Sequence, residues 1–321
     1  VSVVYISLIS TVYNEGSSIE PLVESVASQT RVPDEWVIVD GGSDDGTLEK
    51  LREFEKKYSW INIVEDKGCN IAEGRNRAIE EAENDYILGT DGGCVLDEKW
   101  VQNMEEKFEE GHKALAGTFQ SIGDTPMQKV QGAIRTYHHN PENLSEDFNP
   151  SHRSFGLHKE VWRTVGGYDE NLYTGEDSRF NADVENAGYK WENVPEAVVY
   201  WRMRPTYGSY WKQFFQYGQG DARAGNMFDY PGKIFGVSKV FLMTSATWLG
   251  FLGILLAPVH PASLLLTVGG WGMPYGFYLP NLRAAVEEVG LRSLPIWMVL
   301  VAIQVFGHFS GYYWERLLNA W

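Results

Sequence analysis

Cysteine is scarce in this sequence. The 321 residues hold two, Cys69 and Cys94, which make neither a disulfide framework nor a zinc site and point to a reducing compartment. Positive charge is also short. Against 43 Asp and Glu there are 27 Lys and Arg, and the net charge of −16 leaves no basic excess to meet nucleic-acid phosphates. Two nucleotide signatures are missing. No G-x-G-x-x-G follows the first apolar run, which disfavours a dinucleotide oxidoreductase, and no G-x-x-x-x-G-K-[ST] occurs, which disfavours a P-loop enzyme. The opening VSVVYISLIS lacks the basic flank of a signal peptide and reads as a strand. Internal repeats and low-complexity segments are absent.

Charge itself is missing over long stretches near the C-terminus. From Val240 to Leu282, 43 residues contain no Asp, Glu, Lys or Arg, and Ser293 to Trp314 adds another 22. A membrane span needs about 20 apolar residues, so three spans are expected, at approximately 238–257, 262–281 and 294–314. The breaks between them read as a proline-marked turn, APVHPA (257–262), and a charged loop, NLRAAVEEVGLRS (281–293). The alternative is a set of buried helices in a large soluble core. Ahead of the spans, residues 206–236 form a junction in which Tyr210, Trp211, Phe214, Phe215 and Tyr217 fall near helical spacing beside Lys212 and Arg223. That composition suits a headgroup layer, and equally an amphipathic core helix. Lys212, Arg223, Lys233 and Lys239 precede the first span, Arg283 and Arg292 lie in the second loop, and the first loop has no basic residue. The positive-inside rule then gives a multi-pass protein of the cell membrane with its N-terminal domain in the cytoplasm.

Residues 1–205 alternate. Apolar strands are expected at 3–11, 35–40, 61–65, 85–90 and 113–119. Helices are expected at 17–29 (with Ser17 or Ser18 as its cap), 45–58, 71–83 and 97–111. Strands alternating with helices predict an α/β domain built on a mostly parallel, Rossmann-like sheet covered on both faces. Such sheets bind ligands beyond the carboxyl ends of their strands. That rule selects Asn14 and Glu15 after the first strand, Asp40 and Asp44 after the second, and Asp91 after the fourth. Glycines 41, 42, 92 and 93 leave room for a ligand against the backbone. Any one of these acids could instead serve a turn or a helix cap.

The residues at these positions resemble the inverting family 2 glycosyltransferases of the GT-A fold. VIVDGGSDDGT (37–47) is close to their V-D-[DG]-[GS]-S-x-D-x-T signature, and VGGYDENLYTGEDSRFNADVENAGYK (165–190) resembles their G-G-[FY]-D-E…E-D segment. STVYNEGSSIEPLVESVASQT (10–30) and GRNRAI (74–79) look like weaker family features. The resemblance covers roughly residues 3–205. It implies that Thr11, Asn14, Glu15 and Asp40 line the nucleotide base and ribose, with Arg75 near the donor. Asp91 would be the first acid of the family's D-x-D, close to ribose and diphosphate. Asp177 would be the catalytic base, taking the proton of an acceptor hydroxyl, with Glu176 orienting it or capping the following helix.

Two departures concern the diphosphate. Gly93 stands where the second D-x-D acid would be, and Tyr200 and Trp201 stand where many members carry a metal-binding histidine; His152 and His158 read as surface or packing histidines. Charge on the leaving group must still be met. The expected sources are a magnesium or manganese ion held by Asp91 and the diphosphate, with a weakened site, or Arg202 and Arg204 directly. The function expected is a membrane-bound glycosyltransferase moving a sugar from a nucleotide sugar, with inversion, to a polyprenyl-phosphate or lipid-linked glycan, as in glycan biosynthesis or protein glycosylation. The alternative is a GT-A-fold scaffold without activity. A transporter is disfavoured because the spans lack charged residues.

Overall fold

The computed structural model describes residues 4–136, 150–225, 233–234 and 237–318. The first strand, β1 (Ile6–Val12), is apolar without a break because both its faces are covered: Ile6, Leu8, Ile9 and Val12 are all buried. Helix α1 (Ile19–Ala27) buries Ile19, Leu22, Val23 and Val26, the i, i+3, i+4, i+7 stripe expected. Ser18 stands at its N-cap without a side-chain capping bond. The Ser18 hydroxyl instead donates to the Glu15 carbonyl and carboxylate at 2.6 and 2.7 Å. The series continues as β2 (Glu35–Asp40), α2 (Thr47–Lys57), β3 (Ile61–Glu65), α3 (Ile71–Glu81), β4 (Tyr86–Gly89), β5 (Cys94–Leu96), α4 (Trp100–Glu109) and β6 (Ala114–Ile122). Then follow α5 (Pro126–Arg135), β7 (Phe155–His158), α6 (Lys159–Val165), α7 (Glu176–Asn186) and β8 (Glu192–Arg202).

These eight strands form one sheet in the order β3-β2-β1-β4-β7-β6-β8-β5. Its first half is parallel, as the alternation predicts: β1 pairs with β2 and β4, and β2 with β3. Its second half is mixed. β7 inserts between β4 and β6 and runs antiparallel to both, and β5 pairs antiparallel with β8. The fifth expected strand, β6, therefore does not extend the parallel series. The core over α3 and α7 gathers Ile9, Val37, Val39, Ile79, Ile87, Phe155, Leu157, Tyr168 and Phe180.

The chain divides into two compact units. The sheet unit takes the chain up to Ser121 and the segment ending at Arg202; the second takes Ile122 to residue 137 and everything from Met203. The second unit contains α5, α8 (Tyr207–Arg223), the short pair β9 (Lys233–Ile234) and β10 (Val237–Ser238), α9 (Lys239–Leu256), α10 (Leu264–Val289) and α11 (Ser293–Leu318). Its core joins Val130 and Ile134 of α5 to Tyr210 and Phe214 of α8 and to Trp297, Leu300 and Val301 of α11. Tyr210 and Phe214 are thus core residues, while Trp211 keeps 39% of its surface exposed. Helices α8 and α11 meet at glycines. A methyl group on Gly218 would sit 2.1 Å from the His308 carbonyl oxygen, and one on Gly311 would sit 1.9 Å from that of Phe215. Asp221 and Glu315 are buried beside them and paired, to His308 at 2.7 Å and Arg223 at 2.7 Å.

The three helices of the C-terminal region differ from three equal spans. Among the described residues, α11 alone is long and apolar enough to cross a membrane; the apolar part of α9, Val240–Leu256, is shorter. Helix α10 runs straight through the charged loop expected at 281–293, reaching Val289 and carrying Pro274 and Pro280 inside it. An i,i+4 pair, Arg283 to Glu287 at 2.9 Å, shows why that polar stretch is at home on a helix. The α9–α10 hairpin leaves Leu255, Val259, Leu265 and Val268 between 71% and 86% exposed.

Candidate active site

The carboxyl ends of β1, β2 and β4 carry three loops, and two side chains of the first loop tie them together. Asn14, the non-glycine residue with φ of 55°, takes its backbone N–H to Ser43 Oγ at 2.9 Å and accepts the Asp44 N–H on its side chain at 2.9 Å. Glu15 lies on Gly92, where a methyl group would come within 2.7 Å of its Cγ. Asp40 is turned inward: its carboxylate accepts the N–H groups of Gly42 and Ser43 at 2.9 Å and the Ser43 hydroxyl at 2.6 Å. It shapes the second loop, where Asp44 and Asp45 are exposed.

Helix α3 positions the central charge. Asn70 caps it, accepting from Ala72 and Glu73 N–H groups while Glu73 closes the box onto the Asn70 N–H. Gly74 lets the helix lie directly on β1, since a methyl group there would sit 2.4 Å from Thr11 Cγ2. Arg75, next in sequence, is buried and bridges two carboxylates: Nη2 to Asp91 Oδ1 at 2.9 Å and Nη1 to Glu176 Oε1 at 2.6 Å. Burial and the neighbouring Asp177 push the Glu176 carboxyl up to about 7, against the pull of Arg75. Asp177 stands in the first turn of α7, which starts after Gly175 in the left-handed region, and its Oδ1 accepts the Ser178 N–H at 2.7 Å. Asp177 Oδ2 accepts no hydrogen bond among the described residues.

A second guanidinium reaches the same acid. Arg153 Nε is 3.7 Å from Asp91 Oδ2, and its guanidinium lies 4.0 Å over the Trp201 ring and 5.7 Å from that of Phe119. Its position is set by His152, buried one residue earlier. Asn181 donates to the Pro150 carbonyl, so its oxygen accepts from His152 Nε2 at 2.9 Å, and the Tyr168 hydroxyl donates to Nδ1 at 2.7 Å. Burial and Arg75 hold this imidazole down to about 4, so it is a neutral packing group. His158 caps α6. Cys94 is pushed up to about 12 by burial and is a core thiol.

Of the two arginines expected at the diphosphate, Arg202 ends β8 and Arg204 follows it. Along β8, Ala197, Val199 and Trp201 are buried and alternate with outward residues, so Arg202 emerges on the face opposite Trp201 and Arg153. Arg204 belongs to the second unit, where its N–H donates to Gln131 at 2.8 Å.

Residues 7–164 match the family model described as Glycosyl transferase family 2. The chain carries a family 2 glycosyltransferase domain. Among curated relatives it is 27% identical over 222 residues to the succinoglycan biosynthesis protein ExoA of Rhizobium meliloti, covering 65% of this chain and 67% of that one. It is 25% identical to glycosyltransferase AglE of Haloferax volcanii over 268 residues, 80% of this chain and 83% of that one. In three dimensions it resembles the mannosyltransferase PcManGT of Pyrobaculum calidifontis, solved with GDP-Man and Mn2+. That match has a TM-score of 0.59 at 16% identity and covers 97% of this chain and 87% of that one, which establishes a shared fold.

In this glycosyltransferase the described residues around Asp91 do not make a metal cage. Gly93 offers no second acid, and both Asp91 oxygens face guanidinium groups. Among the described residues, no cluster of three or more His, Cys, Asp and Glu side chains is placed to hold a cation. Sequence reasoning missed Arg153.

Proposed function

We propose that this glycosyltransferase moves a sugar from a nucleotide-sugar donor to an acceptor hydroxyl in a single displacement with inversion, Asp177 acting as base. The observation that carries the reading is the ion-pair chain Asp91–Arg75–Glu176, which joins the loop after β4 to the first turn of α7. It fixes the acid beside Glu176 relative to the donor-side loops, the positioning that an in-line displacement needs. The acceptor oxygen bonds to the anomeric carbon, and the bond from that carbon to the diphosphate oxygen breaks with its electron pair leaving on the diphosphate. The acceptor proton passes to Asp177. Thr11, Asn14, Glu15 and Asp44 line the nucleotide side, Gly92 seats Glu15, and Gly93 leaves open space.

A lipid-linked acceptor at a membrane completes the reading. Support comes from α11 and from the exposed apolar α9–α10 hairpin. The test is donor turnover with a lipid-phosphate acceptor, with the product's anomeric configuration read by NMR. Asp177→Asn should lower kcat by at least about 100-fold with little change in donor KM. Retention of configuration, or an unchanged kcat in Asp177→Asn, would remove Asp177 as base. Equal donor turnover in both proteins at the background rate would instead favour a scaffold.

A further inference from the structure

Asp91 has a guanidinium on each oxygen, and the two are held in different ways. Arg75 is committed to both Asp91 and Glu176, and its side chain is 6% exposed. Arg153 is more accessible, at 17%, and its approach to Asp91, 3.7 Å, is longer than a hydrogen bond. Aromatic faces hold it: Trp201 at 4.0 Å and Phe119 at 5.7 Å, with Nη1 donating to Ser151 Oγ at 2.6 Å. Ring faces fix the plane of a guanidinium while leaving its formal charge intact. A divalent cation at Asp91 would lie against two fixed positive groups with no second acid from Gly93.

We propose that Arg153 is the diphosphate-binding group of this site and does the work of the metal ion for which the residues are unsuited. It meets the diphosphate of the nucleotide sugar and takes up negative charge as the bond to the sugar breaks. A guanidinium suits this duty, being permanently charged and presenting a planar fork of donors to phosphate oxygens. Trp201 and Phe119 hold the fork, and Asp91 steers it. The inference rests on the nucleotide-sugar reading above.

The experiment has a binding arm and a turnover arm. Inorganic pyrophosphate is titrated calorimetrically into the full chain as wild type, Arg153→Lys and Arg153→Ala, with thermal melts of each. Wild type should bind it in excess chelator. Arg153→Ala should weaken binding by at least about 10-fold, with Arg153→Lys between them. In turnover of UDP- and GDP-sugars, wild type should keep its rate within about twofold in chelator, and Arg153→Ala should lose about 100-fold or more in kcat. A double variant, Gly93→Asp with Arg153→Ala, should regain turnover with Mn2+ alone. The aspartate has room, because a methyl group at Gly93 meets nothing nearer than Glu15 Oε2 at 3.7 Å. Wild-type turnover abolished by chelator and restored by Mn2+ overturns the proposal, as does pyrophosphate affinity unchanged in a folded Arg153→Ala protein. A folded wild type that turns over no nucleotide sugar overturns the parent reading; turnover that is indifferent to Arg153 overturns this inference alone.

Discussion

Glu176 sits between a like charge in sequence and an opposite charge in space. Burial comes first in raising its carboxyl to about 7, and Arg75 opposes the rise. As pH falls below 7 the group takes up a proton, and the pair with Arg75 that holds the first turn of α7 weakens. The kcat/KM profile should therefore fall on its acidic side with an apparent ionisation near 7, and Glu176→Gln should abolish that limb. A limb unchanged in Glu176→Gln would assign it to another group. At this scale the sequence could locate acids that coincide with a chain landmark: Asp91 follows β4 and Asp177 stands in the first turn of α7. Arg153 has no such landmark. It lies in PSHRSFGLH, which has neither a long apolar run nor a helical period, and its partners Asp91 and Trp201 come from β4 and β8 ends remote in sequence. Asp40 also ends a strand, and its carboxylate accepts hydrogen bonds from its own turn.

The helices of the second unit depend on the absence of side chains. Gly218 and Gly311 meet main-chain carbonyls of the facing helix, and backbone cannot rotate out of the way as a side chain can. Gly311→Ala should force α8 and α11 apart and cost about 1–3 kcal/mol in thermal or denaturant unfolding. Gly272→Ala, on α10 with nothing within 4 Å of a new methyl group, should be neutral or stabilising by up to about 1 kcal/mol. Equal effects at the two sites would remove close packing as the cause. Composition could locate these helices but not end them. Absence of charge marked where an apolar face begins, whereas α10 continues past Leu282 because Arg283 and Glu287 lie outward and pair along it. Likewise the parallel half of the sheet was visible in its alternation, while the β7 insertion was not, since a four-residue strand leaves little trace in a hydrophobic pattern.

At the scale of the molecule, an acidic chain carries an apolar hairpin. The net charge of −16 repels anionic lipid, so the bilayer attachment proposed above would come from apolar burial. The protein should float with phosphatidylcholine vesicles equally at low and high salt, because screening acts on charge and not on burial. Leu255→Glu with Leu265→Glu should markedly reduce the floated fraction. Wild type left entirely in the unbound fraction would overturn the bilayer reading.

The antiparallel entry of β7 also sets an order of assembly. The strands leading to Asp91 can form from the first part of the chain, including the seating of Gly74 on β1, whereas β5 waits for β8. Glu176 and Arg153 come from chain made later, after β6. During synthesis from the N-terminus, Arg75 must wait, half-paired, for its second carboxylate. A nascent chain stalled near residue 125 would carry a guanidinium with one of its two carboxylates, a place for a chaperone or a stray anion to act.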